Sequence, residues 1–184
     1  MKRQLLEKIK SHTQTLMTIL GLLVATLGFS QEVEWMTFEE AVEANKVQPK
    51  PFLIDIYTDW CGWCKRMEKD TYSNKDLAEY INQNFYPVKM DGEEQKTFDF
   101  NGKQFKFIKQ GRRGYNELPA ALMNGKLSYP TTVFLDSKYQ LIQRLPGYIT
   151  LDKMEPIVVY LSEGKYKDTP WEDFSKSYDL KFSK

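Results

Sequence analysis

The only cysteines of this 184-residue chain stand three apart, in Thr58-Asp59-Trp60-Cys61-Gly62-Trp63-Cys64-Lys65. Cys-x-x-Cys spacing lets two sulfurs meet across one turn and pass between dithiol and disulfide. The run Phe52 to Tyr57 just before them reads as a buried strand, and Cys61 to Asp70 as a helix. A helix start supplies unpaired N–H groups and positive potential, which favour a thiolate at Cys61. A pair this close constrains only a tiny loop and adds little stability. The spacing therefore points to reactive sulfur rather than to a staple.

Asp55 is the odd residue of the strand, a carboxylate among Phe52, Leu53, Ile54, Ile56 and Tyr57. Burying it is expensive. Either it faces solvent from an edge strand, or it is a partly buried acid of raised pKa that relays protons for Cys64. The unbroken apolar run favours a central strand and the second reading. Trp60 and Trp63 have two readings as well, core packing or an apolar rim around the thiolate. The single histidine, His12, stands near the N-terminus, so the rest of the chain has no His/Cys or Ser/His catalytic pair. It also lacks the ligands for a self-contained four-coordinate zinc site. No cofactor or metal is expected.

The elements that must hold these residues alternate between strand and helix, which predicts an α/β sheet covered by helices. Thr37 and Glu40 have capping-box spacing at the start of a first helix. Ser73 and Asp76 repeat that spacing before a helix over Asn74–Asn84, after an interruption at Thr71-Tyr72. Phe85–Met90 reads as the next strand. Phe98 to Ile108 reads as a small hairpin about Asn101-Gly102, followed by a basic, flexible turn, Gln110-Gly111-Arg112-Arg113-Gly114. This stretch is either a partner-contact surface or a hairpin whose aromatics pack on the domain. A helix over Tyr115–Met123 follows, with Pro119 tolerated near its first turn. Thr132–Leu135 and Gln140–Leu145 form an antiparallel pair of strands. Thr150 caps a helix over Leu151–Leu161, where Pro156 is a conflict. A short helix around Trp171–Tyr178 places Trp171, Phe174 and Tyr178 on one face.

Lys2, Arg3, Lys8 and Lys10 precede the uncharged run Leu16–Phe29, and Gly28 and Ser30 are small residues before Gln31. This is the pattern of a cleaved secretory signal peptide over residues 1–30, with the apolar run short for a membrane span. Cleavage removes those four bases and one acid, Glu7, and takes the formal net charge from +1 to −2. Such a balance argues against nucleic-acid binding. Export places both cysteines where disulfides form.

With Cys61-Gly62-Trp63-Cys64-Lys65 and Tyr129-Pro130-Thr131 both present, the chain resembles the thioredoxin superfamily. It is most similar to exported thioredoxin-related disulfide oxidoreductases of Bacteroidota. The resemblance implies a thioredoxin-like fold over 31–163, a central mixed β-sheet flanked by helices, with an insertion at about 92–114. A C-terminal helical extension, 164–184, packs on that domain. It makes Cys61 the nucleophile and Cys64 the resolving cysteine, with Asp55 as the buried acid, Lys89 as its lysine neighbour and Pro130 as a cis proline. Trp60, Gly62, Trp63, Tyr129, Thr131 and Gly147 form the expected substrate surface, with the Thr131 backbone pairing to an extended client.

The implied activity is reduction or isomerisation of disulfides in exported proteins, in the periplasm, with electrons from a membrane thiol donor. Oligomeric state is not readable from the chain. Trp63 stands where the common thioredoxin has proline, and the span between Lys89 and Pro130 is longer than in a minimal thioredoxin. Two other classes compete: a Cu(I)-binding, metallochaperone-like module using Cys61 and Cys64 with a partner's ligand, and a thioredoxin-fold interaction domain without turnover.

Overall fold

The computed structural model describes residues 32–182. Residues 1–30, where a signal peptide is expected, and His12 with them, lie outside the described residues.

Thr37 caps α1 (Phe38–Val47) in a reciprocal box: its hydroxyl accepts from the Glu40 N–H, and the Glu40 carboxylate accepts from the Thr37 N–H. β1 (Phe52–Tyr57) follows, buried from Phe52 to Ile56. It sits inside a four-stranded sheet of order β2-β1-β7-β8, built with β2 (Tyr86–Asp91), β7 (Thr131–Leu135) and β8 (Leu141–Pro146). β1 and β2 are parallel, while β7 and β8 each run antiparallel to the preceding strand of the sheet. A strand buried on both faces explains the continuous apolar run of β1.

The two faces carry separate cores. Leu53 and Phe134 face Met67, Tyr72, Leu77, Ile81, Met154 and Val158. These side chains come from α2 (Gly62–Met67), the π-helical turn Glu68–Tyr72, α3 (Lys75–Asn84) and α5 (Leu151–Ser162). Phe52, Ile54, Ile56 and Val133 face the other way, against Phe38, Ala41, Phe98, Phe105 and Leu118. Alternation along β1 therefore puts Asp55 on the Leu53 face, beneath the helix that the cysteines begin.

Several expectations are corrected. Thr71-Tyr72 does not interrupt the helix that begins after Cys61. The chain passes through a π-helical turn that buries both residues. The cap of α3 is Asn74, whose side chain accepts from the Leu77 N–H; Ser73 instead bonds back to the Lys69 carbonyl. The insertion holds two hairpins. The first pairs β3 (Phe98–Phe100) with β4 (Lys103–Phe105), and Asn101 and Gly102, at φ 51° and 73°, form its turn. The second pairs β5 (Phe107–Gln110) with β6 (Arg113–Asn116), so the basic stretch is an ordered hairpin tip.

Tyr115 and Asn116 belong to that hairpin. Helix α4 (Glu117–Leu122) starts only after Asn116, which caps it. Its amphipathic spacing hid the strand because Tyr115 reads equally well in either period. Pro156 lies inside α5 without breaking it. Beyond α5, the 3-10 turn Lys165–Lys167 leads to α6 (Trp171–Ser177), and Phe174, Tyr178 and Phe182 pack against the first core.

Candidate active site

Cys61 is the residue before α2, and its sulfur accepts a hydrogen bond from the Cys64 N–H at 3.1 Å. The two cysteines form a disulfide. The strand-to-helix corner is closed by the Cys61 N–H donating to the Thr58 carbonyl. In this oxidised state neither cysteine is open to water, at 5% and 4% exposure. Trp60 and Trp63 lie outside them, 51% and 57% exposed, so their role is at the surface and not in the core. Gly62, between the sulfurs, has open space on its Cβ side.

The tryptophans are held in different ways. Trp60 donates its indole N–H to Glu93, meets the Tyr129 ring edge-on at 5.8 Å and lies under the Arg113 guanidinium at 4.3 Å. Trp63 stacks at a tilt on Tyr148, and both rings lie near Arg66, which pairs with Asp70. Tyr129 precedes Pro130 through a cis peptide bond. Its ring fills the space at Gly92, where a Cβ would come within 2.4 Å of the phenol oxygen, so no larger residue fits. Burial, with Glu93 and Asp91 adding to it, pushes the Tyr129 phenol up to about 12.

Gly147, at φ 93°, donates its N–H to the Pro130 carbonyl and fixes the cis loop from behind. Thr131 does not stand free for a client strand. It lies in register with Ile56 on one side and Pro146 on the other, and its hydroxyl bonds to the Ser128 carbonyl. The sheet takes up Thr131, and Tyr129 and the cis Pro130 border the strand end.

Beneath the helix, Asp55 is 2% exposed and accepts from the Lys89 ammonium at 2.7 Å. Lys89 is opposite Asp55 in the β1–β2 register, which puts both side chains on one face. The second carboxylate oxygen, Oδ1, has no hydrogen-bond partner among the described residues. Burial raises the Asp55 pKa, against the opposing pull of Lys89. Burial acts to lower Lys89, but Asp55 and Glu68 outweigh it and keep the amine charged.

Sequence reasoning missed Glu68, which forms a second ion pair with Lys89. It missed Trp35 too, whose indole N–H holds Glu68 at 3.1 Å and whose ring lies 4.7 Å from the ammonium. Trp35 reaches this place because Met36 pairs alongside Val88 at the edge of β2. Nothing in local periodicity marks such contacts. Their only sequence signal is that Glu68 falls one turn after Cys64, on the side of the helix that carries Lys65. The buried Tyr72 phenol, bonded to Thr132 at 3.3 Å, completes the surroundings, and burial holds it well above its ordinary pKa.

The arrangement can do three things chemically. It presents a disulfide next to an aromatic rim. It offers backbone beside a cis proline. It keeps a proton-binding carboxylate, charge-compensated by lysine, under the sulfur-bearing helix.

Residues 26–154 match the model of the family Thioredox_DsbH, described as "Protein of unknown function, DUF255". Among curated proteins, an uncharacterised protein of Caenorhabditis elegans is 30% identical over 84 residues, 45% of this chain and 12% of that protein. The thiol:disulfide interchange protein DsbD of Colwellia psychrerythraea is 29% identical over 59 residues, 32% of this chain and 10% of that one. The chain thus spans about a tenth of the length of these two relatives. Among solved structures, a thioredoxin-fold protein from Helicobacter pylori superposes with a TM-score of 0.54 at 20% identity, over 82% of this chain and 88% of that one. That likeness establishes a thioredoxin fold. No helix among the described residues is long and apolar enough to cross a membrane.

Proposed function

The chain belongs to the thioredoxin-fold family Thioredox_DsbH, and from that premise we propose that it is a thiol–disulfide oxidoreductase of the bacterial cell envelope. Its direction in this reading is reduction or isomerisation of disulfides in exported proteins, with a membrane thiol as donor. The observation that carries the reading is the Cys61–Cys64 disulfide at the start of the helix that covers the Asp55–Lys89 pair. A stapling disulfide needs no proton-binding group below it. The partial likeness to DsbD supports the same chemistry, and the apolar leader of the sequence supports the envelope.

In the reduced protein the Cys61 thiolate attacks one sulfur of a client disulfide. A Cys61–client bond forms, and the other client sulfur leaves as thiolate. The Cys64 N–H, already directed at the Cys61 sulfur, stabilises the thiolate before attack. Cys64 then gives its proton to Asp55 and attacks the Cys61 sulfur. The second client sulfur leaves, and the internal disulfide closes. Two electrons pass from the dithiol to the client, whose two thiolates take protons from solvent. A donor dithiol running the same steps backward resets the site.

The test is capture. A Cys64→Ser variant, expressed with its leader and blocked with acid and alkylating agent, is expected to carry mixed disulfides to client proteins through Cys61. The same variant with Cys61→Ser is expected to carry none. Absence of any adduct, under conditions where a control exchange protein is trapped, overturns the proposal.

A further inference from the structure

The two hairpins of the insertion do different things. The first buries Phe98 and Phe105 in the second core. The second pairs only with itself and leaves Ile108, Lys109 and Gln110 exposed. From Lys103 to Asn116 the chain carries five cations and no acid: Lys103, Lys106, Lys109, Arg112 and Arg113. None of the five forms an ion pair among the described residues. Unpaired like charges on a projecting arm work against folding and are offset only by an external partner or by solvent.

The arm is held firmly beside the disulfide. The Asn116 side-chain amide donates to the Glu94 and Lys96 carbonyls, and its backbone N–H donates to the Gly92 carbonyl. Gly114 lets the Phe107 ring lie flat across the hairpin, since a Cβ there would come within 2.2 Å of it. At the tip, Arg113 covers Trp60, and Trp60 meets Tyr129 beside the cis proline. A cation resting on a half-exposed indole at the rim of a redox pair joins the arm to the place where a client must enter.

We propose that the β5–β6 hairpin is the client-recognition arm of this site and that it selects protein disulfides flanked on one side by acidic residues. The proposal rests on the redox reading above. Charge decides the orientation. Asp59, Asp91, Glu93 and Glu94 cluster near Trp60; Glu93 is used by Trp60, and Asp91 by the Glu93 N–H. These carboxylates repel an acidic segment, so the acids of a client lie toward Lys109 and Arg112. The Arg113–Trp60 contact joins the cationic arm to the redox pair, which favours a protein client over a membrane surface.

The test uses the reduced full-length chain and three oxidised probes. Two are cyclic disulfide peptides of one ring sequence, flanked by Asp-Glu-Asp or by Lys-Lys-Lys. The third is hydroxyethyl disulfide, which is neutral and sets the reference rate. In stopped flow at 20 mM salt the acidic peptide is expected to react at least about tenfold faster than the basic one, falling toward parity at about 0.5 M salt. Lys109→Glu with Arg112→Glu is expected to invert the ratio. Equal peptide rates, or a ratio the double variant leaves unmoved, overturn the recognition proposal while normal reaction with hydroxyethyl disulfide keeps the redox reading. Failure of all three probes sinks the redox reading itself. Hairpin-dependent binding to vesicles of 30% phosphatidylglycerol, with no peptide preference, assigns the arm to membranes and overturns the client proposal.

Discussion

Two carboxylates among the described residues, Asp55 and Glu155, are almost wholly removed from water, and they are treated in opposite ways. Glu155, in the middle of α5, accepts from the Tyr178 hydroxyl at 3.1 Å, from the Phe182 N–H at 3.0 Å and from the Lys181 N–H. Asp55 accepts from one ammonium and has an oxygen, Oδ1, with no partner among the described residues. A buried acceptor supplied with donors is a structural bond, costly to break. A buried acceptor left short of donors keeps its affinity for a proton. The same functional group therefore fastens the C-terminal segment in one place and keeps a raised affinity for a proton in the other. The number of donors around each carboxylate sets the difference, and each can be changed separately.

The largest expected effect lies on the fastened side. Glu155→Ala leaves the Tyr178 hydroxyl and two backbone N–H groups without their acceptor and opens a cavity under Phe174 and Tyr178. Burial, with Glu155 beside it, holds the Tyr178 phenol far above its ordinary pKa, so this group stays a donor that needs an acceptor. A loss of about 3–5 kcal/mol is expected, read by urea unfolding, with a fall in Tm of roughly 10 °C. Disulfide exchange measured on the folded variant at 20 °C is expected to match the parent. Exchange falling together with stability breaks the comparison, because the two carboxylates then serve one purpose.

Asp55→Asn acts on the other side. The amide keeps the shape and cannot take the Cys64 proton. The resolving step is expected to slow on the order of 10²-fold, seen as accumulated mixed disulfide in rapid-quench experiments. Stability has a definite sign. Burial raises the Asp55 pKa in the folded state, so the native protein holds a proton that the unfolded chain releases. Stability from this group is then fully present below the unfolded carboxylate pKa of about 3.9. It is lost as pH rises through the raised native value. The variant's stability is expected to change less with pH above 4 than the parent's. Equal slopes would show that Asp55 is ionised throughout and satisfied like Glu155.

Much of this contrast was legible beforehand on one side only. Asp55 stood out because a lone acid in Phe52–Tyr57 violates the apolar run of a central strand, and the resemblance set Lys89 beside it. Cys61, Cys64 and Pro130 were legible from spacing and resemblance. Glu155 was invisible, since an acid in a helix is usually solvated and its donors come from more than twenty residues away. Glu68 and Trp35 escaped for the same reason: a π-helical turn and a single bridge at a sheet edge set their positions. The second hairpin escaped because Gly111 and Gly114 read as flexibility. One of them forms a turn, and the other makes room for the Phe107 ring. Local pattern reported the strands of the main sheet and the Thr37 cap but misplaced the cap at Ser73 and overstated Thr150, whose side chain makes no capping bond; contacts across the sheet decided the chemistry.

The smallest effect tests how the Asp55 side is tuned. Lys89 is shared between Asp55, which is buried, and Glu68, which reaches solvent. At Asp55 burial is the main upward push, Lys89 pulls down, and the Glu68 charge adds a lesser upward push. Glu68→Gln removes that charge and leaves Lys89 more fully to Asp55. Both changes lower the Asp55 pKa. The resolving step needs Asp55 ionised, so its rate rises with pH through that pKa, and the rising limb is expected to move to lower pH in the variant. The rate change itself stays within about fivefold, because a half-exposed ion pair is worth little and is screened. Salt separates tuning from structure: at 0.5 M the two profiles are expected to converge, since charge acts through solvent while packing does not. A limb that stays where it was, in a variant that still folds, would mean that Lys89 answers to Asp55 alone and that Glu68 merely anchors Trp35.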